Sequence, residues 1–381
     1  MTDLPYSEST VDASPRLRTW RGPIFILLGA VLALVGLNVP LPYVVFTPGP
    51  TVDVTMAVDN TPMIDIVPAE GSDEVDLTLD PLHQEGDGTG ELRMVTVSEH
   101  GGPGNRITLF DLLRLGFIDG SNVVSYDSVY PPEATADEVQ SAAQAQMRFS
   151  QSTAAVVALE ELGWKIPATV TILGAVPGTD SENKVQEGDT LLSITTPDGE
   201  LHPMDSASAP FSLMRTIPEG SSMVLGLERD GKELSVTVVS GPSPDNVGSK
   251  LGVFLDPVTT MPLDVDIRLE KIGGSSAGMM FALGIIDRMT PGDLSGGKVI
   301  AGTGALSYDG QVEPIGGINQ KIAGALRDGA TWFLAPDANC SDVEDVPEGI
   351  RVVSVATIDD AQEAVNSIAE GKGDSLPTCH Q

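Results

Sequence analysis

Residues 23–39 are almost all apolar, and the run continues past Pro40 and Pro42 as far as Phe46. About 20 helical residues cross the hydrocarbon core of a bilayer, so the segment is long enough to span one. A cleaved signal peptide would carry an apolar stretch of about 7–15 residues ending at a small-x-small site. Here the run goes on through Leu37, Val39, Leu41 and Val44 without such a site, which favours an uncleaved anchor over residues 23–46. Arg16, Arg18 and Arg21 lie in the preceding tail, residues 1–22. Positive residues stay on the cytoplasmic side, so everything after Phe46 is expected outside the cytoplasm.

Thr47-Pro48-Gly49-Pro50 breaks the helical pattern. It opens a β-rich region over residues 47–132, with period-two alternation around Leu92, Met94 and Thr96. Inside it, Thr108-Leu109-Phe110-Asp111 has the form of a capping box leading a short apolar helix to Phe117. None of these signals carries chemistry. After Pro131-Pro132, Thr135-Ala136-Asp137-Glu138 is a second capping box, and residues 133–164 make an Ala- and Gln-rich helical segment stopped at Gly163. From Ala168 the pattern changes to short strands at 170–173, 190–194, 223–227 and 234–239, with turns at Asp198-Gly199 and Asp230-Gly231.

In that module Val176-Pro177-Gly178 is followed by Val185-Gln186-Glu187-Gly188-Asp189 and an apolar strand to Ile194. The order resembles a PDZ domain of the bacterial protease-associated kind, spanning residues 165–242. The resemblance implies capture of an extended peptide as an added strand. Ser181-Glu182-Asn183-Lys184 departs from the family's small apolar pair and glycine, so a purely architectural module is the alternative. Gly241-Pro242-Ser243-Pro244 is a linker, after which an α/β rhythm occupies residues 248–370, with a tail at 371–381.

Composition narrows the functions. At 381 residues the chain suits two or three domains, and 41% hydrophobic with 20% charged residues is a globular balance. A formal net charge of −33 would repel phosphate backbones, so nucleic acid is not an expected partner. The histidines, His83, His100, His202 and His380, stand singly, and no spacing suggests zinc, so no metal or cofactor is expected. Gly296-Gly297-Lys298 is followed by Val299, which is not a phosphate-binding loop. Outside the cytoplasm disulfides persist, so Cys340 and Cys379 could staple the tail to the preceding domain, at a distance the sequence does not supply.

Chemistry concentrates after residue 263. Leu263, Val265, Ile267 and Leu269 alternate with charged residues as a half-buried strand, which runs into Gly273-Gly274-Ser275-Ser276-Ala277-Gly278. The following helix is apolar on every side as far as Ile286, so its first turn is anchored in a core. A serine there is well placed as a nucleophile, with free amides nearby for an oxyanion. The competing reading is that Ser275 or Ser276 caps the helix. No histidine lies between His202 and His380, so Lys321 is the simpler base. Positions 318, 321, 322 and 325 share a helical face, which puts Lys321 among apolar residues. Desolvation would lower its pKa, and only the neutral amine accepts a proton. A snorkelling stem with its ammonium in water is the alternative. Tyr308-Asp309-Gly310 is a hairpin turn in which Asp309 is structural.

Taken in order, Gly274-Ser275-Ser276-Ala277-Gly278, Thr303-Gly304, Val312 through Lys321, and Gly329 through Asn339 resemble the proteolytic domain of Lon proteases and their ATPase-free relatives. The resemblance covers residues 263–364. It implies an α+β multidomain chain: an amino-terminal transmembrane helix, a β-rich region, a PDZ-like domain and a Lon-type α/β proteolytic domain. It also implies Ser276 as nucleophile, Lys321 as general base and Thr303 as the hydroxyl orienting the amine. The family usually has Pro where Ser275 stands, and an acidic residue is missing near Ile272 and Gly273. The expected activity is ATP-independent serine endopeptidase cleavage of extracytoplasmic or membrane-proximal polypeptides. The expected location is a bacterial cell membrane, single-pass, with ring-like homo-oligomers possible by resemblance. An inactive peptide-binding scaffold and a membrane-tethered assembly protein are the rival functions.

Overall fold

The computed structural model describes residues 27, 29–31, 35–58, 61–72, 77–79, 89–243, 246–269 and 272–379. Strand β1 (Tyr43–Asp53) is followed by β2 (Ile64–Pro68) and β3 (Glu91–His100). Helix α1 (Leu109–Leu115), β4 (Asn122–Ser125) and the long α2 (Ala136–Glu161) come next. Both helices start from the capping boxes read in the sequence, with Thr108 paired to Asp111 and Thr135 to Glu138. The middle of the chain holds β5 (Ala168–Ala175), β6 (Thr190–Thr195), β7 (Leu201–Pro203) and α3 (Ala209–Thr216). It continues through β8 (Ser222–Arg229), β9 (Lys232–Val239) and β10 (Val253–Thr259). The last part comprises β11 (Leu263–Ile267), α4 (Gly278–Met289), β12 (Val299–Gly302) and α5 (Ile318–Arg327). It closes with β13 (Trp332–Pro336), β14 (Arg351–Val355) and α6 (Ile358–Ala369).

Two six-stranded sheets organise these elements. The first runs β14-β13-β12-β3-β1-β4, parallel from β14 to β3 and antiparallel from β3 to β4. Its strands alternate their contacts. Leu92, Met94, Ile300, Leu334 and Val353 enter the core around α4, whereas Ala301, Phe333, Ala335 and Val352 enter the core under α5. The two helices therefore cover opposite faces, and α2 and α6 pack on the outside of α4. The second sheet is antiparallel, β9-β8-β6-β5-β10 with β7 on β6, around its own core that includes Val170, Ile194, Met223 and Leu225. Asp189 of the Gly188-Asp189 turn is tied there by Arg229, whose Nε and Nη2 donate to its carboxylate at 2.7 Å each.

Three expectations change. Residues 47–132 are not a separate β-rich unit, because β1, β3 and β4 are half of the first sheet. The span expected over 23–46 does not hold at its end: Tyr43–Phe46 begin β1, with Val44 and Val45 fully buried. Residues 23–26, 28 and 32–34 of that apolar run lie outside the described residues, among which no helix is long and apolar enough to cross a membrane. Finally, β10 falls within 248–370 but pairs with β5 in the second sheet. A strand's partner is set by contacts far along the chain, which alternation within the strand does not encode.

Candidate active site

The turn after β11 leads Ser276 to the start of α4, where every residue from Gly278 to Arg288 is buried. Gly274 sits at φ +99°, a left-handed conformation that side chains resist, and its N–H donates to Ala143 O of α2 at 2.9 Å. Ser150, about two turns further along α2, donates its hydroxyl to Ser275 O at 3.0 Å. The N-cap is Ala277, without a side-chain cap, so neither serine is occupied in capping. Ser276 O accepts the Gly304 N–H at 2.9 Å and the Thr303 hydroxyl at 2.8 Å. Among the described residues, no acceptor takes the backbone N–H of Ser276 or Ala277.

Lys321 comes from the other face of the sheet. Gly317, at φ +72°, turns the chain into α5, and Asn339 clamps the preceding loop by accepting from Ile315 N at 2.8 Å and donating to Ile315 O at 3.0 Å. The lysine is 4% exposed, so its stem does not snorkel to water. Its Nζ lies 2.8 Å from Ser276 Oγ and 3.0 Å from Thr303 Oγ1. Burial pushes the ammonium down to about 7 from its usual range. Thr303 follows the carboxyl end of β12 and is fully buried. The starts of α4 and α5 converge there, in the crevice beyond the ends of parallel strands where such sheets place their sites.

Thr303 fixes the direction of the hydrogen bonds. Its single proton goes to Ser276 O, so toward Lys321 it can only accept. A neutral Lys321 then gives one N–H to Thr303 and turns its lone pair to the Ser276 hydroxyl. The cleft of about 380 Å³ in front of this pair is bounded by Ser276, Lys321, Gly316 and the β3 residues Thr96, Val97 and Ser98. Pairing of β3 with β12 stops at Met94, so this stretch of the β3 edge faces the cleft. His100 contacts Thr47, His202 lies on β7, and neither lines the cleft. Ser307 donates to Asp309 within the Tyr308 turn, away from the cleft. Ser150 had no local signal in the sequence, and Asn339 stood in a recognised motif without an assigned role.

Residues 270–369 match the Lon protease (S16) C-terminal proteolytic domain. The matched stretch contains Ser276, Thr303 and Lys321. Lon protease 2 of Herpetosiphon aurantiacus is 37% identical over 106 residues, covering 26% of this chain and 13% of that protein. Lon protease 1 of Bacillus subtilis is 38% identical over 78 residues, covering 20% of this chain and 10% of that protein. The match thus spans only about a tenth of the length of these relatives. Among solved structures, the PDZ domain of an SdrC-like protein from Listeria innocua aligns with 23% of this chain and 92% of its own, at 11% identity and a TM-score of 0.20. That likeness is too slight to carry an argument about ligands.

Proposed function

We propose that the chain is a serine endopeptidase that hydrolyses polypeptides through Ser276, with neutral Lys321 as general base and no nucleotide requirement. The observation that carries this reading is the 2.8 Å approach of a buried, desolvated amine to a serine hydroxyl. Lys321 takes the Ser276 proton as Oγ attacks the scissile carbonyl, and the same ammonium then protonates the leaving amine. The Ser276 and Ala277 amides are placed to hold the oxyanion at the start of α4. Water deacylates the ester, with Lys321 again accepting a proton. An extended substrate fits beside residues 95–98 of β3, where backbone groups face the cleft. We further propose that residues 23–39 anchor the chain in a membrane, with the catalytic part outside the cytoplasm, so that substrates are extracytoplasmic or membrane-proximal.

The test is peptide hydrolysis by the full chain without nucleotide. Ser276→Ala and Lys321→Ala should each abolish it, and the double variant should be little worse than either, because the two residues act as a unit. Ser275→Ala should keep much of the rate. Lys321→Arg should be inactive, since a guanidinium stays charged at working pH. Near-normal turnover by a folded Lys321→Arg variant would remove lysine as the base. Protease added outside intact spheroplasts should digest the chain beyond Phe46, and full protection would reverse the topology.

A further inference from the structure

Helix α1 is apolar on two faces. Leu112 and Leu115 pack inward with Leu41, Val45 and Ile107. Phe110 and Leu113 point the other way, and Phe117 continues their row beyond the helix. They are 55%, 48% and 85% exposed, and Ile118 beside them is 42% exposed. Contiguous exposed apolar surface of this kind marks contact with a partner or a membrane.

The patch also has a fixed place relative to the apolar amino-terminal run. Leu41 N–H donates to Ile107 O at 2.8 Å, and Pro40 bridges to Thr108, whose side chain caps α1. The chain is therefore tied to the base of α1 as soon as it leaves that run. Val35 and Val39, within the run, are 60% and 46% exposed. The apolar run and α1 are thus joined by these backbone contacts.

We infer that the face made by Phe110, Leu113, Phe117 and Ile118 enters the interfacial layer of a lipid bilayer, seating the proteolytic sheet on the membrane beside its anchor. The inference rests on the proposed anchoring by residues 23–39. Aromatic and branched aliphatic side chains settle at the boundary between headgroups and acyl chains by burying apolar area. Charge cannot supply the attraction, because a chain of net charge −33 is repelled by anionic lipid. The seating reaches the catalytic machinery through one loop. A Cβ placed on Gly120 would meet Ala323 Cβ at 3.0 Å, so the loop after α1 packs on α5, the helix that carries Lys321.

Because Cys340 and Cys379 are bonded to each other, Phe117→Cys gives the full chain one free thiol for a nitroxide label. In vesicles of phosphatidylethanolamine and phosphatidylglycerol, the label should collide several-fold more often with dissolved oxygen than with a water-soluble nickel chelate. Phe254→Cys, at a site 55% exposed on β10, should show the opposite preference. A nickel-accessible label at Phe117 in a chain that floats with the vesicles would sink the seating and leave the anchor standing. Spin–spin broadening with low access to both reagents would overturn it in favour of a second copy of the chain. A chain that does not float would overturn both. Leu113→Asp with Phe117→Asp should lower cleavage of a lipid-tethered peptide several-fold and leave cleavage of the same peptide in solution unchanged.

Discussion

On the proposed mechanism, Lys321 is held in a compromise between folding and catalysis. With Lys321 as the proposed base only the neutral amine is active, so the rate should rise with pH through about 7 and level off above it. The folded pKa lies below the unfolded value of about 10.4, so from about 7 to about 10 the unfolded chain binds more protons and stability increases with pH. Below that window both states are protonated, and the full cost of the buried ammonium remains. Lys321→Met should therefore be inactive yet more resistant to urea at pH 6, with the advantage shrinking toward pH 10. An unfolding midpoint that is unchanged at pH 6 would mean the ammonium is better solvated than its 4% exposure implies. At this scale the sequence was informative. Ser276, Thr303 and Lys321 stand in ordered motifs, and the face shared by positions 318, 321, 322 and 325 already put the lysine in an apolar setting. Ser150 was invisible, because a hydroxyl on one helix acquires its meaning only when Ser275 O is brought against it from 125 residues away.

Among elements, α5 depends on what precedes it. Asn339 satisfies both the N–H and the C=O of Ile315, and Gly317 then turns the chain into the helix. Asn339→Ala strips partners from both backbone groups, which should cost roughly 1–3 kcal/mol. It should lower kcat more than KM, because the start of the lysine helix loses its support while β3 is untouched. Asn339→Asp keeps the acceptor for Ile315 N but loses the donor to Ile315 O, and an intermediate effect is expected. Equal loss in kcat and KM would point to general unfolding of the cleft instead. Many elements were legible: both capping boxes, four of the six strands of the second sheet and the buried α4 follow from local patterns. Their partners were not. The start of β1 reads in sequence as part of the span and β10 is not singled out, and their pairing is long-range: β1 finds β3 about 50 residues on, and β10 returns to β5 across the whole second sheet.

On the scale of the molecule, two links hold separate parts together. Tyr308 stacks near Phe149 of α2 and Phe211 of α3, with ring centroids 5.8 Å and 5.9 Å away, joining the second sheet's unit to the hairpin that follows Thr303. The Cys340–Cys379 disulfide closes a loop with a sequence separation of 39 beside the core under α5. Loop-closure entropy puts its contribution at about 4 kcal/mol. A Cys340→Ser, Cys379→Ser double variant should lower the urea midpoint accordingly, whereas an unchanged midpoint would mean that the tail docks without the covalent link.

The placement of Ser276 just before α4 and of Lys321 on α5, helices that cover opposite faces of one sheet, also sets a timetable for synthesis. Ser276 and most of the strands emerge from the ribosome well before α5, and β1 waits with one face bare until that helix arrives to cover it. During this interval the nascent chain presents extended segments of its own, while the Ser276 hydroxyl has no Lys321 amine beside it. On the proposed mechanism, late arrival of Lys321 keeps the growing chain inert toward itself. Stalled nascent chains that end before Ile318 should leave Ser276 unreactive to a serine-directed phosphonate, and labelling of such chains would show that the hydroxyl is activated without its partner.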